Sequence, residues 1–218
     1  MRHQWLSIFS FLVITIIVLA FFRLYLQPIE NPESDEQTTT QETLLTEPTV
    51  SFVNPKKGAL EPKVTLIEFG DFECAACKTV ANAIDIVLRT EPSVQVVWKN
   101  LPNESAHELA TPAAIAAHCA YDQGTFWEFH DELYSRQTFL SEDQFFQIAQ
   151  ELELDTAAFE NCYLARETLP LVKKDFDEAL ALGLTATPTI FIGEERFVGS
   201  VSSQELLTAV RQALSSQP

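Results

Sequence analysis

The sequence predicts an α/β fold: a central mixed sheet that carries a helical insertion and is preceded by one apolar N-terminal segment. Three observations predict it. Val64–Phe69, apolar and rich in β-branched residues, runs into Gly70-Asp71, then into Cys74-Ala-Ala-Cys77, an amphipathic stretch and a second apolar run, Val94–Lys99. Between Pro102 and Leu182 helical spacing recurs several times, more chain than one crossover requires. Pro188 stands directly before another strand-like run, Thr189-Ile-Phe-Ile192.

Composition narrows the function classes. The chain has 218 residues, 46% of them hydrophobic, enough apolar material for a core and against wholesale disorder. Its 31 acidic residues against 14 basic ones give a net charge of −17, which repels polyanions. A nucleic-acid partner held through phosphates is therefore not expected.

Taken in order, the first element is the uncharged run Trp5–Phe22, roughly 27 Å long as a helix and close to the hydrocarbon thickness of a bilayer. It lacks an A-x-A-like site, since it ends in Ala20, Phe21, Phe22 and Arg23, so it reads as an uncleaved transmembrane anchor over residues 1–26. Arg2 precedes it, and after Arg23 no base occurs before Lys56, which places the N-terminus in the cytoplasm and the rest outside. Residues 27–49 contain Glu30, Glu33, Asp35, Glu36, Glu42 and Glu47, no base and no apolar periodicity. They read as an acidic flexible linker ahead of a domain over 50–218.

In that domain Val64–Phe69 fits a buried strand, and the turn after it delivers Cys74. Val80, Ala81, Ile84, Val87 and Leu88 then follow helical spacing until Pro92, so the C-x-x-C pair opens a helix directly behind a strand. This setting reads as a redox pair and not a zinc knuckle. Free N–H groups and the positive dipole end at a helix start stabilise a thiolate, the form that attacks disulfides. Cys74 is the better placed nucleophile, and Cys77, one turn on, resolves a mixed disulfide formed there.

Six further helices are predicted, the first five of them between Pro102 and Leu182. Thr111 with Pro112 gives an N-cap and first-turn proline for a helix that Gly124 ends. Phe126, Phe129, His130 and Leu133 lie on one stripe of the next. Ser141 with Gln144 forms a capping box before Phe145, Ile148 and Leu152, Asp155 caps the segment holding Phe159 and Cys162, and Gly183 stops the helix through Phe176, Ala179 and Leu180. These fill an insertion at about 103–182. Ser202 with Glu205 makes a second box, opening a closing helix with Leu206, Leu207, Val210 and Leu214. Pro188 forces Thr187 out of helical geometry and suits a cis X-Pro turn.

Over roughly Val50–Gln217 the sequence resembles the thioredoxin-fold thiol-disulfide oxidoreductases, and within them the DsbA-like group. The resemblance rests on Glu68-Phe-Gly-Asp-Phe-Glu-Cys-Ala-Ala-Cys77, on Ala114–Asp131 with His118-Cys119 and Gly124-Thr-Phe-Trp-Glu-Phe-His130, and on Gly183-Leu-Thr-Ala-Thr-Pro188-Thr-Ile-Phe-Ile192. It implies that Pro188 is cis, that its loop faces the C-x-x-C pair, and that the Thr187 backbone pairs with extended substrate. It further implies that Glu68 is the buried acid beneath the site, relaying a proton to or from Cys77, with Lys99 as its charge partner. A helical insertion in a thioredoxin frame is also what it implies.

The remaining cysteines, Cys119 and Cys162, both fall in the insertion. In an oxidising compartment they most simply form one structural disulfide, two buried free thiols being the alternative. A zinc site drawing on His118 and the four cysteines is disfavoured by the strand-to-helix setting of the first pair; neither metal nor cofactor is expected. His3, His107 and His130 read as structural or surface residues, Trp98 and Trp127 as packing residues.

The expected function is an extracytoplasmic oxidoreductase that introduces disulfides into reduced or misfolded exported proteins and is reoxidised by a membrane partner such as a quinone-linked oxidase. A reductase or isomerase of the same fold, a tethered binding module and a thiol metal carrier stay as alternatives. Ala75-Ala76 lacks the histidine found between the cysteines of the best-known family members, and Asp71 and Glu73 oppose a thiolate while Lys78 favours it, so a less oxidising couple than the extreme case is expected.

Overall fold

The structure is a computed structural model that describes residues 14–23, 25 and 45–216. The chain divides into two units, residues 1–41 and 42–218. In the first, residues 14–23 and 25 are helical and exposed. Among the described residues no helix is long and apolar enough to cross a membrane. The expected span's residues 5–13 lie outside the described residues, as do linker residues 27–44.

The second unit is built on one sheet. Strands β1 (Lys56–Gly58), β2 (Val64–Gly70), β3 (Val94–Asn100), β4 (Thr189–Ile192) and β5 (Glu195–Val198) run in the order β1-β3-β2-β4-β5. Only β2 and β3 are parallel, pairing Glu68 with Trp98 and Phe69 with Lys99. The connection between them is helix α1 (Ala75–Thr90). Helices α2 (Ala110–Tyr121), α3 (Phe126–Ser135), α4 (Glu142–Glu151), α5 (Thr156–Leu164) and α6 (Leu169–Ala181) fill the stretch between β3 and β4, and α7 (Ser203–Ser215) closes the chain. This is the helical insertion within a mixed sheet that the sequence predicts.

Because both faces of the central strands are covered, they are buried except at the half-buried Thr65 and Gln95. Leu66, Val94, Val96 and Ile190 pack under Val80, Ile84 and Val87 of α1 and Leu206 and Val210 of α7. The alternate residues Ile67, Phe69, Val97 and Phe191 pack with Ala179 of α6. Leu45 joins that second cluster, so the last residues of the expected linker lie on the domain. The insertion has its own core, in which Phe129, Leu133, Phe145, Ile148 and Phe159 converge, and it runs continuously into Phe72, Cys74 and Cys77.

Local signals account for several helix ends. Asp155 caps α5 through Ala158 N–H at 3.0 Å, and Ser202 with Glu205 forms the full capping box of α7. Gly183, at φ +65°, follows the end of α6 where a left-handed residue is needed. Two expected caps do not form. Helix α2 starts at Ala110, ahead of Thr111, whose hydroxyl donates instead to Glu104 Oε1 at 2.6 Å. Ser141 makes no side-chain cap: the Gln144 N–H donates to the Ser141 carbonyl at 3.0 Å, and the Gln144 side chain is engaged by Arg136 at 3.1 Å and by Gln147 at 2.9 Å. At the end of β2, a Cβ on Gly70 would lie 2.3 Å from the Trp98 ring, so that ring occupies the space a side chain would need.

Candidate active site

The site forms where β2 hands over to α1. Cys74 is the N-cap, in extended geometry at φ −75° and ψ 115°, so its side chain hangs over the first turn. Its sulfur accepts the Cys77 N–H at 3.3 Å and lies 3.5 Å from the carbonyl oxygen of Thr187. The Thr187-Pro188 peptide is cis, and the loop carrying it faces the cysteines.

The two sulfurs sit in different surroundings. Cys77 is fully buried, at 0% exposure, whereas Cys74 keeps 8% beside the exposed Ala75. The Cys74 thiol is lowered to about 6: a hydrogen bond with Cys77 is the chief cause, burial opposes it, and contacts with Thr187 and the N–H groups of Cys77 and Ala76 add to it. Burial, the hydrogen bond given to Cys74 and the charges of Glu68 and Cys74 push the Cys77 thiol far up. One turn therefore holds a thiolate next to a thiol that keeps its proton.

Glu68 is 1% exposed on the face of β2 that α1 covers, and its Oε1 has no hydrogen-bond partner. Burial first, and the Cys74 charge second, raise its carboxyl to about 8. Lys99 is not its charge partner. In the β2–β3 register Glu68 faces Trp98, so Lys99, one residue further on, points through the opposite face. There Lys99 is itself buried at 1% and pairs with Glu178 at 2.7 Å and Asp175 at 3.4 Å. Asn54 and Thr49, ahead of β1, donate to the same two acids, Asn54 at 3.3 Å from Asp175 and Thr49 Oγ1 at 3.1 Å from Glu178.

Three residues of the site were not singled out from the sequence. Gln137, in a short 3₁₀ turn of the insertion, donates from Nε2 to the carbonyls of Phe72 at 2.8 Å and Cys74 at 3.0 Å. Tyr134, buried on α3, sets its hydroxyl 3.4 Å from the Asp71 carbonyl, and its burial raises the phenol well above its ordinary value. His107, read from sequence as structural or surface, places Nδ1 2.8 Å from Asp71 Oδ2. Only the fold brings these loops together, and no local pattern marks them.

His118, His130 and the second cysteine pair lie in the core, and His3 lies outside the described residues. Cys119 and Cys162 are bonded, with S–S 2.02 Å. His118 Nε2 is 2.8 Å from Asn100 Nδ2, and burial lowers its imidazole to about 4. His130 packs edge-on against Trp98 and Tyr134 with ring centroids 5.2 and 4.8 Å away. Among the described residues no three His, Cys, Asp or Glu side chains converge on a metal site.

A mixed sheet interrupted by a helical insertion, with a C-x-x-C helix start facing a cis-proline loop, defines a thioredoxin fold of the DsbA-like form. Comparison with known proteins agrees: the family model described as Thioredoxin matches residues 54–212, and the chain belongs to that family. Among curated relatives, it is 35% identical to Na(+)/H(+) antiporter NhaA 1 of Salinispora arenicola over 157 residues, 72% of this chain but 24% of that protein. The chain thus spans about a quarter of the length of that relative. Among solved structures it is similar to a periplasmic thioredoxin-like protein from Salmonella enterica serovar Typhimurium, at 26% identity and TM-score 0.63 over 75% of this chain and 91% of the other. It is also similar to a thioredoxin-like oxidoreductase from Silicibacter pomeroyi, at 26% identity and TM-score 0.67 over 81% and 99%.

Proposed function

We propose that this chain is an extracytoplasmic thiol-disulfide oxidoreductase that introduces disulfides into reduced or misfolded exported proteins, held at the membrane by Trp5–Phe22 with its N-terminus in the cytoplasm. The observation that carries the reading is the contrast within one turn, a Cys74 thiol lowered to about 6 beside a fully buried Cys77. The periplasmic Salmonella neighbour supports the compartment.

In the oxidised state Cys74 and Cys77 share a disulfide. A substrate thiolate attacks Cys74 Sγ, and the electron pair of the broken bond leaves on Cys77. Burial makes that anion costly, so it takes a proton, and Glu68, neutral below about 8, is the nearby acid able to supply it. A second substrate thiolate then attacks the substrate sulfur of the mixed disulfide, and Cys74 departs as the thiolate its surroundings favour. The Thr187 backbone beside Cys74 aligns the extended substrate. Overall the substrate dithiol loses two electrons and two protons, the cysteine pair gains two electrons, and a quinone-linked membrane oxidase restores the disulfide.

The test uses the preoxidised chain and a reduced, unfolded substrate. We expect oxidation faster than with glutathione disulfide, and a Cys77→Ser variant whose Cys74 thiolate, offered a disulfide-bonded substrate, displaces one of its sulfurs and accumulates as a mixed disulfide. Oxidation no faster than glutathione disulfide, with no trapped species, would leave a tethered binding module.

A further inference from the structure

We infer that His107 is a positioning residue for Cys74: its imidazolium, held on Asp71, offsets the acidic turn that precedes the nucleophile and adds to the hydrogen bonds at Cys74 that favour its thiolate. This inference rests on the oxidoreductase reading and extends it to a group outside the C-x-x-C motif.

The turn is a poor place for an anion by its sequence alone, since Asp71 and Glu73 both precede Cys74. The fold deals with each acid separately. The Asp71 carboxylate, on a residue 2% exposed, accepts the N–H groups of Glu73 at 2.8 Å and Asn103 at 2.9 Å, and Nδ1 of His107 at 2.8 Å. The Glu73 carboxylate accepts the Leu109 N–H at 2.5 Å. Both acids are therefore tied to the loop after β3, and His107 is the side chain of that loop that carries positive charge when protonated. The Asp71 carbonyl in turn accepts the Cys74 N–H at 3.1 Å, which links the pair directly to the nucleophile's own backbone.

The groups that face His107 are Asp71 and Glu73 from the turn and Cys74 from the start of α1, with Tyr134 of α3 set on the Asp71 carbonyl. Glu104 and Glu108 lie on its own loop, Glu104 being occupied by Thr111. Burial opposes the imidazolium, but the hydrogen bond and charge of Asp71, then the charges of Glu73 and Cys74, raise its pKa above the ordinary value. Two backbone donors already serve the Asp71 carboxylate. A third, cationic partner is more than folding the turn requires, and it neutralises charge where the thiolate forms.

The experiment is the pH profile of iodoacetamide alkylation of Cys74 in the reduced full chain, in detergent micelles, with the modified residue located by mass spectrometry. His107→Gln is expected to raise the midpoint by roughly 0.5 to 1 unit, so that alkylation below both midpoints slows about 3- to 10-fold, as loss of one nearby opposite charge predicts. His107→Lys is expected to return the midpoint most of the way. Because coupling between two sites is reciprocal, Cys74→Ser is expected to lower the His107 imidazole midpoint read by NMR. An unmoved midpoint in His107→Gln overturns the inference. So does a moved one with His107 titrating unchanged in Cys74→Ser, since the effect is then structural. Should His107→Gln fail to fold, the NMR measurement alone decides. A wild-type Cys74 that titrates as an ordinary thiol is a different outcome, and it removes the oxidoreductase reading itself.

Discussion

Cys74 and Cys77 are chemically the same residue one helical turn apart, and position alone sets them to opposite tasks. The consequence for stability can be signed. The Cys74 thiol falls from 9.0 to about 6 on folding, so it contributes stability that is fully present above 9 and lost as pH drops through 6. At pH 7 that favours the reduced form by about 1.4 kcal/mol, roughly 30 mV toward a more oxidising couple, a moderate effect and not an extreme one. The oxidised form has no such group to titrate. Thermal melts of reduced and oxidised protein from pH 5 to pH 9 should therefore show the reduced form gaining on the oxidised form as pH rises from 6 toward 9; parallel curves would mean that Cys74 is not perturbed. The cysteine pair and Pro188 were legible because each lies in a local pattern with a mechanical reason behind it. His107 and Gln137 were not, because their roles depend on loops that meet only in three dimensions.

At the scale of elements, register decides more than residue type. Glu68 and Lys99 stand on adjacent parallel strands, and pairing them looks reasonable until the register is known; one residue of offset then sends them through opposite faces. The sequence marks both strands but contains nothing that fixes their relative slide. Lys99 instead anchors β3 to α6 through two acids with almost no exposure. Lys99→Met is expected to cost about 3–5 kcal/mol, because it strands Asp175 and Glu178 as buried charges without their cation. It should leave the Cys74 alkylation midpoint in place, which a chemical denaturation series paired with the alkylation profile would check. A midpoint that moved with the substitution would put Lys99 back in the site. The missed caps at Thr111 and Ser141 have a related origin, since Glu104 and Arg136, in the segments just before those helices, claimed the Thr111 and Gln144 side chains that local pattern assigned to a helix start.

For the molecule as a whole, the insertion is both the larger core and the support of the site, since its apolar cluster reaches Cys74 and Cys77 without a break. The Cys119–Cys162 bridge joins α2 to α5 across 43 residues of sequence, and by chain entropy such a closure is worth about 4 kcal/mol at most. Cys119→Ala should lower the melting temperature under oxidising conditions yet preserve thiol exchange at Cys74; an unchanged melting temperature would show that the bridge does not form. Fold class and insertion could be read from the sequence because hydrophobic periodicity is repeated over many residues and survives local error. The face each buried charge would choose could not, since that follows from the slide of one strand against another.

The missing side chain at Gly70 has a consequence for how this protein can vary. The indole of Trp98 fills that space, stacks on Phe72 at 4.8 Å and so backs the turn from which Cys74 projects. Even an alanine there would evict the ring, and the displacement would propagate through Phe72 to the nucleophile. Any side chain at position 70 thus meets the Trp98 ring, and the constraint is set by an aromatic neighbour on the adjacent strand and not by any conformational demand of the glycine's own backbone.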